Sequence, residues 1–109
     1  MTKDQLLAIV PTIIKHNLIV IADEIYGELT YGDKHCSIAS FDGMRERTVV
    51  ISGFSKAFAM TGWRVGYVCA PKQVLQQMYK IHQYTIMCAS TNSQYGAYTA
   101  LKEGFEDDF

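Results

Sequence analysis

The sequence predicts an α/β fold, and three observations carry that expectation. Leu18 to Ala22 is a continuous apolar run, the pattern of a strand covered on both faces. Two further short stretches, Thr48 to Ser52 and Trp63 to Cys69, read as strands, the second by its alternation. Around them lie segments with apolar residues at helical spacing, which gives three strands and about three helices. The 109 residues suffice for one compact domain that buries roughly 65% of its unfolded surface, and exclude a large two-domain enzyme.

The first helix carries Leu6, Leu7, Ile9, Val10, Ile13 and Ile14 on its apolar positions and ends at Asn17. Thr2 and Gln5 form the Thr-x-x-Gln pattern of a capping box. Pro11 cannot donate to the Leu7 carbonyl, which predicts a kink there or a helix regular only beyond it. After the first strand, Asp23 and Glu24 stand at its C-terminal end, and residues 31–47 read as a connecting loop with at most one helical turn. Gly53 to Gly62 forms a second loop between the second and third strands. Pro71 suits the first position of a helix that reaches about Cys88, with Val74, Leu75, Met78, Ile81 and His82 on its apolar face. A final helix opens with the capping pattern of Thr91 and Gln94, runs through Leu101, and can end in a left-handed cap at Gly104. Tyr79, Tyr84, Tyr95 and Tyr98, with Met78 and Met87, read as core and interface packing, and the acidic tail as a solvated stretch.

Ten basic and eleven acidic side chains leave a net charge of -1, with no lysine or arginine block. Nucleic acid and anionic membranes are therefore not expected partners. Cys36, Cys69 and Cys88 are odd in number and lie 33 and 19 residues apart, which fits neither a disulfide framework nor a zinc spacing and points to a reducing, cytoplasmic setting. The apolar runs fall short of a membrane span, and Met1 to Gln5 lacks the pattern of a signal peptide. His16, His35 and His82 share no spacing, so no metal site is proposed, and His82 reads as a partly buried core residue.

Chemistry concentrates at two strand ends, Asp23 and Tyr26 after the first, Ser55 and Lys56 after the second. In open α/β sheets the ligand crevice lies outside such ends. An amine, a hydroxyl and the nearby Arg64 guanidinium suit a phosphorylated aldehyde: the amine condenses with the aldehyde, the guanidinium forks onto the phosphate, and an acid such as Asp23 keeps a pyridine nitrogen protonated. Taken singly, each residue has a plainer reading: Lys56 a solvated lysine, Asp23 a helix cap, Tyr26 a core aromatic, Arg64 a surface strand residue.

The stretch Gly53-Phe54-Ser55-Lys56-Ala57-Phe58-Ala59-Met60-Thr61-Gly62-Trp63-Arg64-Val65-Gly66 resembles the pyridoxal-phosphate attachment segment of the class I aminotransferases. Upstream, Ala22-Asp23-Glu24-Ile25-Tyr26 resembles the cofactor-contacting strand end of the same family, at the matching distance. The likeness covers essentially the whole chain, which resembles the branch containing bacterial-type aspartate and aromatic aminotransferases. It implies that Lys56 is the Schiff-base lysine and the proton-transfer base, and that Asp23 pairs with the pyridinium nitrogen of pyridoxal 5'-phosphate. By the same resemblance, Tyr26 donates to the ring phenolate oxygen, and Arg64 binds the phosphate with help from Ser55. Gly53 stands where some members carry a phosphate-binding serine. Glu24 receives no role.

The resemblance also implies that residues 1–109 are a partial large domain of a fold type I enzyme. The phosphate loop, a ring-stacking aromatic and an asparagine contact are expected before Met1, and the arginine for the substrate carboxylate beyond Phe109. It places the first two strands side by side, and the third apart from them across a missing strand. Unpaired edges of such a sheet favour a homo-oligomer or a swapped arrangement. The implied activity is transfer of an amino group between an L-amino acid and a 2-oxo acid, with the 109 residues alone inactive. Alternatives are a lyase or synthase of the same fold, or the effector-binding domain of a transcription regulator.

Overall fold

The computed structural model describes residues 1–104; the acidic tail from Phe105 onward lies outside the described residues. Helix α1 (Lys3–Lys15) leads to strand β1 (Val20–Asp23), and a long connection with two 3-10 turns leads to β2 (Thr48–Gly53). A single helical turn, α2 (Phe54–Ala57), and a 3-10 turn at Thr61–Trp63 precede β3 (Gly66–Cys69). Helices α3 (Lys72–Thr85) and α4 (Thr91–Glu103) complete the chain. The sheet is mixed, in the order β1-β2-β3, so the α/β expectation holds.

The strand order corrects one expectation. No strand separates the second and third: Val50, Ile51, Ser52 and Gly53 pair with Cys69, Val68, Tyr67 and Gly66 in antiparallel register. An antiparallel pair needs no crossover helix, and the short connection 54–65 returns the chain directly. At the pair's end Gly53 meets Gly66 so closely that a Cβ on Gly53 would lie 2.9 Å from the Gly66 Cα. Only glycine permits that approach. β1 and β2 pair in parallel, with Val20 opposite Thr48 and Asp23 opposite Ile51.

The α1 cap forms as expected: Gln5 N donates to Thr2 Oγ1 at 3.3 Å and Thr2 N to Gln5 Oε1 at 2.9 Å. The helix runs through Pro11 as one element, because Leu7 and Pro11 lie on its exposed side, where water can serve the freed carbonyl. It stops at Lys15, two residues before the predicted Asn17, which is left-handed at φ 50°. Leu6, Val10 and Ile13 form its buried stripe.

They meet Ile38 and Met44, both from the connection read as mere loop, with Val20, Ala22, Cys36 and Phe41 packed around them. Met44 is fully buried, and Thr48 Oγ1 donates to its carbonyl at 2.7 Å. This connection is thus part of the core, held by Arg47, whose Nε donates to Gly43 O at 2.8 Å and Nη1 to Asn17 Oδ1 at 3.0 Å. A second apolar cluster joins Phe54, Met60 and Ala97, with Phe58, Val65 and Ala100 against it.

Several expectations of burial fail. β1 is covered on one face only, where Val20 and Ala22 meet α1, while Ile21 is 71% exposed. β3 begins at Gly66 rather than Trp63, because Arg64 is left-handed at φ 53° and breaks the strand. α3 begins after Pro71, ends at Thr85 and buries no residue completely; Ile81 is 68% exposed, and His82, Tyr79 and Tyr84 are exposed too. Tyr95, Tyr98 and Met87 are likewise exposed rather than core. On α4 the cap is Ser90, which accepts from Ser93 N, not Thr91; Gln94 donates instead to Ala89 O. Gly104 ends α4 at φ -92°, outside the left-handed region, and a Cβ there would press within 3.0 Å of the Phe58 ring. The described residues form a slab of 44 × 38 × 19 Å with a radius of gyration of 15.6 Å. A compact domain of this length has about 13 Å, so two separate clusters rather than one central core organise the chain.

Candidate functional site

The parallel pairing brings the C-terminal ends of β1 and β2 side by side, and the chemically capable residues gather there. Asp23 closes β1 opposite Ile51, and its Oδ1 accepts from Ile25 N at 3.2 Å, an Asx turn that starts the loop 24–28. Tyr26 sits in that turn and is 60% exposed. From β2 the chain passes through Gly53 into α2, where Ser55 and Lys56 are both half-buried. Phe54 anchors this turn, stacked on Phe58 at 5.4 Å and edge-on to Tyr67 at 5.9 Å.

Lys56 Nζ lies 5.5 Å from the centre of the Tyr26 ring, a cation–π contact joining the two strand ends. Among the described residues the lone contact of a carboxylate with a basic side chain within 4.0 Å is Glu24 with His35, so Lys56 has no carboxylate partner there. Arg64 is exposed, and its Nη1 donates to Thr61 O at 2.8 Å within its own loop. The structure therefore brings Lys56 and Tyr26 together, sets Asp23 and Ser55 on the same edge, and holds Arg64 in the loop that follows. The strand reading of Arg64 is corrected by its left-handed backbone.

Glu24 was given no role by the sequence, yet it is the most connected side chain at this edge. Its carboxylate accepts from Ser37 Oγ at 2.7 Å and pairs with His35 Nε2 at 3.0 Å, and its side chain is only 13% exposed. A cavity of about 120 Å³ opens on this side of the strand end, lined in part by Glu24, Gly27, His35, Ser52 and Phe54. The available signal was alternation: the residue after an outward Asp23 points the other way. Among the described residues no cluster of three or more His, Cys, Asp or Glu can hold a metal ion, and no helix is long and apolar enough to cross a membrane.

This donor set fits pyridoxal phosphate in kind: an amine free of carboxylates for the aldehyde, a carboxylate for the ring nitrogen, a phenol for the ring oxygen, and a guanidinium with a hydroxyl for the phosphate. A mixed sheet whose middle strand runs into the lysine turn is the frame of this site, and the comparisons with known proteins make its class specific. The chain belongs to the aminotransferase class I and II family, whose model matches residues 1–108. An aspartate aminotransferase of Pyrococcus abyssi is 52% identical over 91 residues, 83% of this chain and 23% of its own length. An aromatic-amino-acid aminotransferase of Thermococcus litoralis is 44% identical over 104 residues, 94% of this chain and 27% of its own length. The crystal structure of an aromatic aminotransferase from Pyrococcus horikoshii superimposes with a TM-score of 0.90 at 49% identity, over 94% of this chain and 28% of that one. The chain thus spans about a quarter of the length of these relatives, and its fold is that of a portion of the aminotransferase large domain.

Proposed function

We propose that these residues are the cofactor-anchoring portion of a pyridoxal-phosphate-dependent aminotransferase that exchanges an amino group between an L-amino acid and a 2-oxo acid. The observation that carries the proposal is the Lys56 ammonium resting 5.5 Å from the Tyr26 ring, across the ends of two parallel strands. When bound, pyridoxal phosphate supplies an aldehyde for the amino group and a ring that withdraws the electron pair left at Cα. Lys56 anchors the cofactor and, as a free amine, takes the proton from the substrate Cα and returns it to carbon. Asp23 holds the ring nitrogen protonated through its carboxylate. Tyr26 donates its hydroxyl proton to the ring oxygen, and Arg64 forks onto the phosphate with Ser55 beside it.

Residues 1–109 are, on this reading, part of a large domain in a cytoplasmic homo-oligomer, and do not transaminate alone. The exposed positions of Asp23, Tyr26 and Arg64 agree with a site that needs further walls. The test is an absorbance titration with pyridoxal phosphate, followed by borohydride reduction and peptide mass mapping, on wild type and Lys56→Ala. A saturating visible band, with the reduced adduct on Lys56 and lost in the variant, is the expected result. Adducts spread over several lysines and unchanged in Lys56→Ala would refute the assignment.

A further inference from the structure

We propose that Glu24 is a positioning residue: with Ser37 and His35 it clamps the turn that presents Asp23 and Tyr26. The proposal rests on the cofactor reading above for its purpose, and on the hydrogen bonds around Glu24 for its substance. Glu24 is tied down at every polar group. Its N–H donates to Ile51 O at 2.8 Å, and its carbonyl accepts from Gly27 N at 2.9 Å and from Ser52 Oγ at 3.3 Å. Its two carboxylate oxygens are divided between Ser37 Oγ and His35 Nε2.

These bonds link three segments: the end of β1, the C-terminal half of β2 and the middle of the connection between them, at 35–37. The His35 ring also packs against the turn, since a Cβ on Gly27 would lie 3.2 Å from its Cδ2. A side chain at 27 would push this ring a few tenths of an ångström off the turn that carries Tyr26. Asp23 and Glu24 are neighbours facing opposite ways, so fixing the Glu24 carboxylate inward fixes Asp23 outward. The Glu24 carboxylate is only 13% exposed while the His35 side chain is 35% exposed, so the shielded part of the clamp is the Ser37 hydroxyl bond, and removing the carboxylate leaves that half-buried hydroxyl without its acceptor.

The clamp is tested in the full 109-residue chain with Glu24→Ala, the near-isosteric Glu24→Gln, and Tyr26→Phe as the benchmark for a lost ring-oxygen contact. Without cofactor, amide hydrogen exchange at Ile25 and Gly27 is expected to rise about tenfold in Glu24→Ala. Glu24→Gln keeps an acceptor for Ser37 and should show a smaller rise. With pyridoxal 5'-phosphate, Glu24→Ala should bind about tenfold more weakly. The pH midpoint of the bound chromophore should move upward, as it should in Tyr26→Phe, because a lost hydrogen bond to the ring oxygen disfavours its ionised form. A Glu24→Ala chain that melts earlier but keeps wild-type exchange at Ile25 and Gly27 overturns the proposal, as does an unmoved midpoint beside a moved Tyr26→Phe. If wild type shows no Lys56-dependent band, the cofactor reading fails by itself, and amide exchange still decides the clamp.

Discussion

Replacing Gly53 by alanine should destabilise the chain although the backbone there, at φ 176°, suits any residue. The new Cβ would sit 2.9 Å from the Gly66 Cα and 3.1 Å from the Val65 carbonyl oxygen, both backbone atoms that cannot rotate away. Overpacking of this kind costs about 1–3 kcal/mol, against which the stiffer unfolded chain returns about 0.4–1 kcal/mol. The net expectation is a loss centred on about 1.3 kcal/mol, or about 5–10 °C in melting temperature for a domain of this size. Gly62 is the control: nothing lies within 4 Å of its Cβ position, so Gly62→Ala should be neutral or stabilising by up to about 1 kcal/mol. Thermal melts followed by circular dichroism, with urea titrations beside them, measure both. A Gly53→Ala chain as stable as Gly62→Ala would show that the β2–β3 end is not packed as described. The same substitution should weaken capture of pyridoxal phosphate, since Gly53 leads directly into the turn that carries Lys56.

Two other variants separate core from site. Met44→Ala, at a fully buried position in a connection without regular strands, should cost about 2–5 kcal/mol by urea unfolding; a loss under about 1 kcal/mol would remove that connection from the core. Arg64→Gly relieves a left-handed non-glycine residue and should hold or raise the melting temperature by an amount worth about 1 kcal/mol, while weakening pyridoxal phosphate binding through loss of the guanidinium. Unchanged affinity in that variant would remove Arg64 from the phosphate site.

The capping box at Thr2 and Gln5, the stripe Leu6, Val10 and Ile13, and the ends of β2 were legible because each obeys a local rule of spacing or chemistry. Lys56, Asp23 and Tyr26 were legible through motif order, and the fold brings them to one edge because β1 and β2 pair in parallel. Ile38 and Met44 escaped because a core residue in an aperiodic connection leaves no periodic trace; only contact with α1 makes it core. The adjacency of β2 and β3 escaped for a related reason. Pairing is settled by the fit of Gly53 against Gly66, a contact 13 residues apart in sequence that neither strand's pattern contains. The exposed tyrosines of α3 and α4 mislead in the opposite direction, since residue type records burial without saying which surface provides it.

Among the described residues, the segment from Gly53 to Gly66 gathers two of the four left-handed non-glycine residues. They are Ala59 at φ 51° and Arg64 at φ 53°, and the segment opens and closes on a glycine pair in near contact. Each left-handed residue costs about 1–2 kcal/mol, which must be offset elsewhere. The offset is visible in the cluster of Phe54, Met60 and Ala97, and in Ser93, a buried hydroxyl on α4 that donates to the Trp63 carbonyl. α4 thus braces the loop between the lysine turn and β3 in a shape the loop's own residues disfavour. The strained residues follow the turn that carries Lys56, and backbone strain over-determined by packing from a remote helix is the kind that gathers at ligand sites. At the other strand end Glu24 provides the brace, with hydrogen bonds in place of apolar packing, so each half of the candidate site is held by residues that do not themselves face it.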